Sequence, residues 1–172
     1  MKNKKSLLKI SYTAIFTAII LLSTMLIKFS TGLGEGYIHF GDCFIYLSAC
    51  VLPFPYCLIA AALGGALADI LGGFAVWAIP TAVIKFLNAL PFVFFCKKSK
   101  ILCKQTISMT IVSGIITILG YFVTECILYS VASATLSILG NTIQAVASGI
   151  IFIIMAHTLD KINFKSKITK GD

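Results

Sequence analysis

A small set of residues in this chain could do chemistry: His39, Asp42, Asp69, Lys85, Asn88, Glu125, Asn141 and Gln144, with Tyr37 and Trp77 as aromatic neighbours. A carboxylate near an imidazole is the equipment of general acid–base catalysis. Lys85 could hold an anion or simply neutralise a buried carboxylate. Asn and Gln both donate and accept hydrogen bonds, which suits reading the edge of a polar ligand. The spacings of other chemistries are missing. There is no HExxH or paired acidic metal motif, no CxxC pair and no GxxxxGK[ST] loop to grip ATP. No metal or cofactor is expected.

The elements that position these residues follow from composition. The chain has 172 residues, of which 59% are apolar and only 12% charged, and the mean hydropathy is +1.01. These values exclude a disordered chain and an ordinary soluble enzyme, and they indicate an integral membrane protein. The net charge is +8, and all of the basic residues are lysine. Most lysines fall in three groups: Lys2, Lys4, Lys5 and Lys9; Lys97, Lys98, Lys100 and Lys104; and Lys161, Lys165, Lys167 and Lys170. Clusters beside apolar runs are the mark of the positive-inside rule. They are not interleaved with stacking aromatics, so no nucleic-acid partner is expected. The six cysteines (43, 50, 57, 96, 103 and 126) read as small buried hydrophobes.

Apolar runs predict an all-α bundle of six transmembrane helices in a single domain, with spans near 7–27, 42–52, 56–71, 76–95, 107–129 and 139–159. The first run is too long for a signal-peptide core and is expected to be a retained span. Pro53 and Pro55 divide the stretch 42–71. A single crossing there would place the lysines at 97–104 opposite the other two clusters. Two crossings, or a re-entrant hairpin, keep all three on one side, with both termini cytoplasmic. The outer loops then fall near 28–41, 72–76 and 130–138.

Placed by depth, the polar residues converge. Asp42 opens the second span just after His39, Asp69 and Glu125 lie near outer ends, and Asn141 and Gln144 begin the last span. Trp77 starts the fourth span, Lys85 lies roughly 12 Å deeper at 1.5 Å per residue, and Asn88 is one turn further in. Thr110, Ser113, Thr117, Gly120 and Thr124 form a weakly polar stripe on the fifth span. Intramembrane polar groups are costly and mark functional sites. Their shared depth points to a pocket opening outward, although any one of them could be a structural pair. His157, beside Asp160, reads as interfacial.

The ordered run of motifs resembles the S components, or substrate-binding subunits, of energy-coupling factor (ECF) vitamin transporters, of the riboflavin type or a related branch. It comprises Gly36-Tyr37-Ile38-His39-Phe40-Gly41-Asp42, then Ala68-Asp69-Ile70-Leu71-Gly72-Gly73, then Pro80-Thr81-Ala82-Val83-Ile84-Lys85. Ala14 and Ala18 match the AxxxA motif on the first helix. The resemblance covers most of the chain and is strongest over residues 36–90. It implies a multi-pass protein of the bacterial cell membrane that binds a water-soluble vitamin and works with a transmembrane coupling subunit and two ATP-binding subunits. It assigns the coupling-subunit contact to Ala14 and Ala18 and gating to residues 31–41. It implies no enzymatic step. Charges of both signs in the pocket suit a zwitterionic or polar heteroaromatic ligand stacked on Trp77 or Tyr37. A stand-alone small secondary transporter, or an integral membrane enzyme using His39 with Asp42, Asp69 or Glu125, is the competing reading of the same residues.

Overall fold

A computed structural model describes residues 2–26, 28–30, 37–95 and 100–169. Residues 31–36 of the expected gating segment, the side chain of Tyr37, Cys96, Lys97, Lys98 and Lys170 lie outside the described residues. Among the described residues the fold is all-α apart from one small hairpin. Its helices are α1 (Lys2–Leu26), α2 (Gly41–Val51), α3 (Tyr56–Leu71), α4 (Ala78–Phe95), α5 (Lys104–Leu128), α6 (Val131–Lys161) and α7 (Phe164–Thr169). A 3-10 turn, Ala75–Trp77, precedes α4.

Among the described residues, four helical segments are long and apolar enough to cross a membrane: Lys5–Leu26, Ala75–Phe95, Lys104–Leu128 and Val131–Lys161. α2 and α3 have 11 and 16 residues, so they rise about 16 and 24 Å, short of a hydrocarbon core of about 30 Å. The turn between them holds Pro53 and Pro55, where neither ring interrupts a helix. Pro91 lies inside α4 and removes one helical hydrogen bond.

Two differences from the expected layout have local causes. The segment after α1 is not a simple loop, because β1 (Lys28–Ser30) pairs antiparallel with β2 (Tyr37–His39), setting Lys28 opposite His39. α6 begins at Val131, inside the stretch expected to be the loop 130–138. Ser130 caps it, its hydroxyl accepting the Ser133 N–H at 3.2 Å.

α2 is buried along almost its whole length, as a central helix that is apolar on nearly every face should be. Tyr46 of α2 stacks on Phe92 of α4 with ring centroids 4.9 Å apart, and Phe152 of α6 meets Tyr46 edge-on at 5.8 Å. These rings pin three helices together at mid-bundle.

α3 packs between α1 and α4 through glycine. A Cβ on Gly64 would stand 2.7 Å from Ile20 Cγ2 and 3.2 Å from the Thr17 carbonyl of α1, and one on Gly65 would stand 2.9 Å from Thr81 and Lys85 of α4. Small residues let backbones approach in lipid. Gly64→Ala is therefore expected to cost about 1–3 kcal/mol by overpacking, against the gain of about 1 kcal/mol that alanine brings to a helix interior. Gly149→Ala is the control, because its Cβ would meet nothing nearer than 3.8 Å. Thermal unfolding in detergent should separate the two, and equal melting temperatures would refute the close α1–α3 contact.

The rest of α1 is less tied. Phe16, Ile20, Ser23 and Thr24 face inward and are buried, whereas Ala14 and Ala18 are exposed. The hydroxyls of Ser11, Thr13, Thr17 and Ser23 each donate to a carbonyl of their own helix. At the end of the bundle away from the hairpin, both Asp160 carboxylate oxygens accept backbone N–H bonds, from Ile101 and Leu102, each at 2.8 Å. That clamp ties the α4–α5 connection to the end of α6.

Candidate functional site

One cavity opens at the hairpin end, between the ends of α1 and α3, the first turns of α4, the late part of α5 and the early part of α6. Thr24, His39, Gly65, Asp69, Phe74, Trp77, Thr81, Lys85, Tyr121, Asn141 and Gln144 line it. It leaves ≈ 60 Å³ open to the centres of water molecules, enough for a few waters.

Its floor is a chain of hydrogen bonds, charge-assisted at Asp42. Lys85 Nζ donates to Asp42 Oδ1 at 2.6 Å. Gln144 Nε2 donates to Asp42 Oδ2 at 3.1 Å. Gln144 Oε1 accepts the backbone N–H of His39 at 3.3 Å, and His39 Nδ1 accepts that of Gly41 at 3.1 Å. Thus α4, α2, α6 and the hairpin are joined through four residues. Lys85 and Asp42 are 1% and 0% exposed, which in a membrane requires mutual neutralisation. His39 stands on the hairpin, outside the helical segments. Burial, aided by the Lys85 charge and opposed by Asp42, pushes its pKa down to about 4. It is therefore neutral near pH 7, as an accepting Nδ1 requires.

The walls are aromatic. Trp77 lies 5.9 Å from Tyr121 and 6.0 Å from Tyr129, centroid to centroid, and its Nε1–H donates to Tyr129 Oη at 3.3 Å. Lys85 Nζ sits 5.2 Å from the Tyr121 ring centroid, within cation–π range. A polar group recognised by Lys85, Asp69 or Gln144 would thus lie beside flat apolar surface.

Of the residues singled out from sequence, His39, Asp69, Trp77, Lys85, Asn141 and Gln144 share this cavity. Asp42 lies just behind it, holding Lys85. Asn88 is one turn deeper; its side-chain amide donates to Thr117 Oγ1 at 2.8 Å, while its backbone carbonyl accepts from Ser113 Oγ at 2.6 Å. Glu125 is buried against Ser137 of α6 and does not line the cavity. Five lining residues were not among the expected site residues: Thr24, Gly65, Phe74, Thr81 and Tyr121, although Thr81 lies in the Pro80–Lys85 run. Tyr121 was within reach, since it lies one turn after Thr117 of the polar stripe on α5.

The family of ECF-type riboflavin transporter S components matches residues 4–161. The chain belongs to that family. A relative in Pyrococcus woesei, described as an uncharacterized protein in the gap 3'region, is 32% identical over 130 residues, which is 76% of this chain and 86% of the relative. With its four long apolar helices, this S component is a multi-pass membrane protein of a transport system. Among the described residues, no group of three or more His, Cys, Asp or Glu side chains is placed to hold a metal ion.

Proposed function

We propose that this S component captures a water-soluble vitamin or related micronutrient in the cavity at its hairpin end and delivers it as part of an ECF importer. The observation that carries this reading is a cavity with both charge signs and an aromatic wall, set in one end of a membrane bundle of this family. In this reading the chain crosses the membrane six times in a bacterial cell membrane, α2 and α3 forming the short pair. The hairpin end faces outward. The three lysine clusters, at 2–9, 97–104 and 161–170, face the cytoplasm, in line with the positive-inside rule.

Each residue then has a role set by its chemistry. Trp77 and Tyr121 stack on a planar ligand, and Asn141, Gln144 and Asp69 bind its polar edge. Lys85 recognises an electron-rich group while Asp42 holds it in place. Asn88 and Glu125 brace the helices around the site. Tyr37 sits on the strand that closes over it. At ≈ 60 Å³ the cavity is well below the roughly 300–1,000 Å³ of drug-sized ligand sites. Ligand entry therefore requires the hairpin and the Trp77 wall to part. The missing ATP-gripping loop is explained by separate ATP-binding subunits, reached through a coupling subunit that docks on Ala14 and Ala18.

A calorimetric screen across water-soluble vitamins and their precursors tests the proposal. The expected result is one tight ligand, released chemically unchanged. A ligand released as product would indicate an enzyme. Uptake into liposomes by this chain alone would indicate a self-sufficient transporter.

A further inference from the structure

A second concavity lies away from the cavity, on the outer surface of the α5–α6 pair, with a volume of ≈ 400 Å³. Its floor is Gly114, Ala145 and Gly149, where the two helices approach closely: a Cβ on Gly114 would stand 3.2 Å from that of Ala145. Ile111, Ile115, Val146 and Ile150 form exposed rims. Its two hydroxyls ask nothing of an occupant. Thr110 Oγ1 donates to the Ile107 carbonyl at 2.6 Å and Thr142 Oγ1 to the Ile138 carbonyl at 2.7 Å.

The groove runs from Ile107 to Ile118 on α5 and from Ile153 back to Thr142 on α6. Eleven residues at 1.5 Å each give about 16 Å, close to the hydrocarbon thickness of one leaflet, about half of 30 Å. The occupant it fits is a single extended acyl chain. Its end away from the hairpin is cationic. Lys104 lies one turn before Ile107, and His157 and Lys161 lie one and two turns after Ile153, all on the groove face by helical spacing and all exposed. Neither lysine is ion-paired among the described residues, since Asp160, beside Lys161, is taken up by the Ile101 and Leu102 amides.

We infer that the α5–α6 groove is a binding site for an anionic phospholipid, its acyl chain along the glycine floor and its phosphate against Lys104 and Lys161. The inference rests on the multi-pass topology and not on the importer reading, so lipid binding would survive the loss of that reading.

The test is native mass spectrometry of the whole protein from nanodiscs of dioleoyl phosphatidylglycerol or dioleoyl phosphatidylcholine. Phosphatidylglycerol adducts should be retained preferentially. Lys104→Gln with Lys161→Gln should weaken them about thirtyfold, the scale of two basic residues at an anionic surface, with phosphatidylcholine unaffected. Both lysines are exposed, so this variant keeps its fold. Gly149→Leu should reduce both lipids by filling the floor. Equal retention of the two lipids, or phosphatidylglycerol binding untouched by the lysine changes, overturns the inference. So does a Val146→Cys variant that crosslinks to a second copy in the membrane, since the groove would then be a dimer contact.

Discussion

Lys85→Ala is expected to destabilise the protein by about 3–5 kcal/mol and to abolish ligand capture, because it strands the Asp42 carboxylate in the bundle. Asp42 would keep only the Gln144 amide, at 3.1 Å, and that is weak compensation for a buried charge. The single variant cannot separate structural from ligand-binding work. Lys85→Met combined with Asp42→Leu can. Replacing a buried pair by apolar side chains of similar volume is often neutral or stabilising, by up to about 4 kcal/mol. Thermal unfolding should therefore show the double variant at or above wild type. Calorimetry with the tightest ligand from the screen should still show no binding. Recovery of affinity with stability would make Lys85 a structural partner only.

The second large effect concerns α1. Ala14→Trp with Ala18→Trp should reduce uptake to background in vesicles holding the complete importer. Ligand affinity and melting temperature should barely change, because surface substitutions usually stay within about 0.5 kcal/mol and both alanines are exposed. The buried face of the same helix carries Phe16 and Ile20, so the substitutions do not reach the bundle interior. Loss of binding in proportion to loss of uptake would remove Ala14 and Ala18 from the docking surface.

Depth along an apolar helix can be counted in residues, so the gathering of Asp69, Trp77 and Lys85 toward one end of the bundle was legible in sequence; Asn141 and Gln144 share their cavity but lie about three turns into α6, which starts at Val131 and not near residue 139. Rotation about the helix axis is harder to read when all faces are apolar, because lipid and core then carry the same hydrophobic signal. Glu125 illustrates this: it lies on α5 one turn beyond Tyr121, yet it turns toward Ser137 while Tyr121 faces the cavity. The hairpin gave little warning, since Lys28–Ser30 is too short to show alternation. The start of α6 was obscured because Ser133, Thr135 and Ser137 look like loop residues. In the structure Thr135 and Ser137 donate to carbonyls of their own helix, so they cost it little.

The self-bonded hydroxyls of α1 also bear on motion. Ser11, Thr13, Thr17 and Ser23 are satisfied inside one helix. Trading acyl chains for another protein along this helix therefore breaks none of those four bonds. Only packing changes, and packing is reversible on the timescale of a working cycle. For the docking proposed at Ala14 and Ala18, such a chemically indifferent flank suits repeated attachment and release, while Lys85 and Gln144 stay joined through Asp42 at the far end.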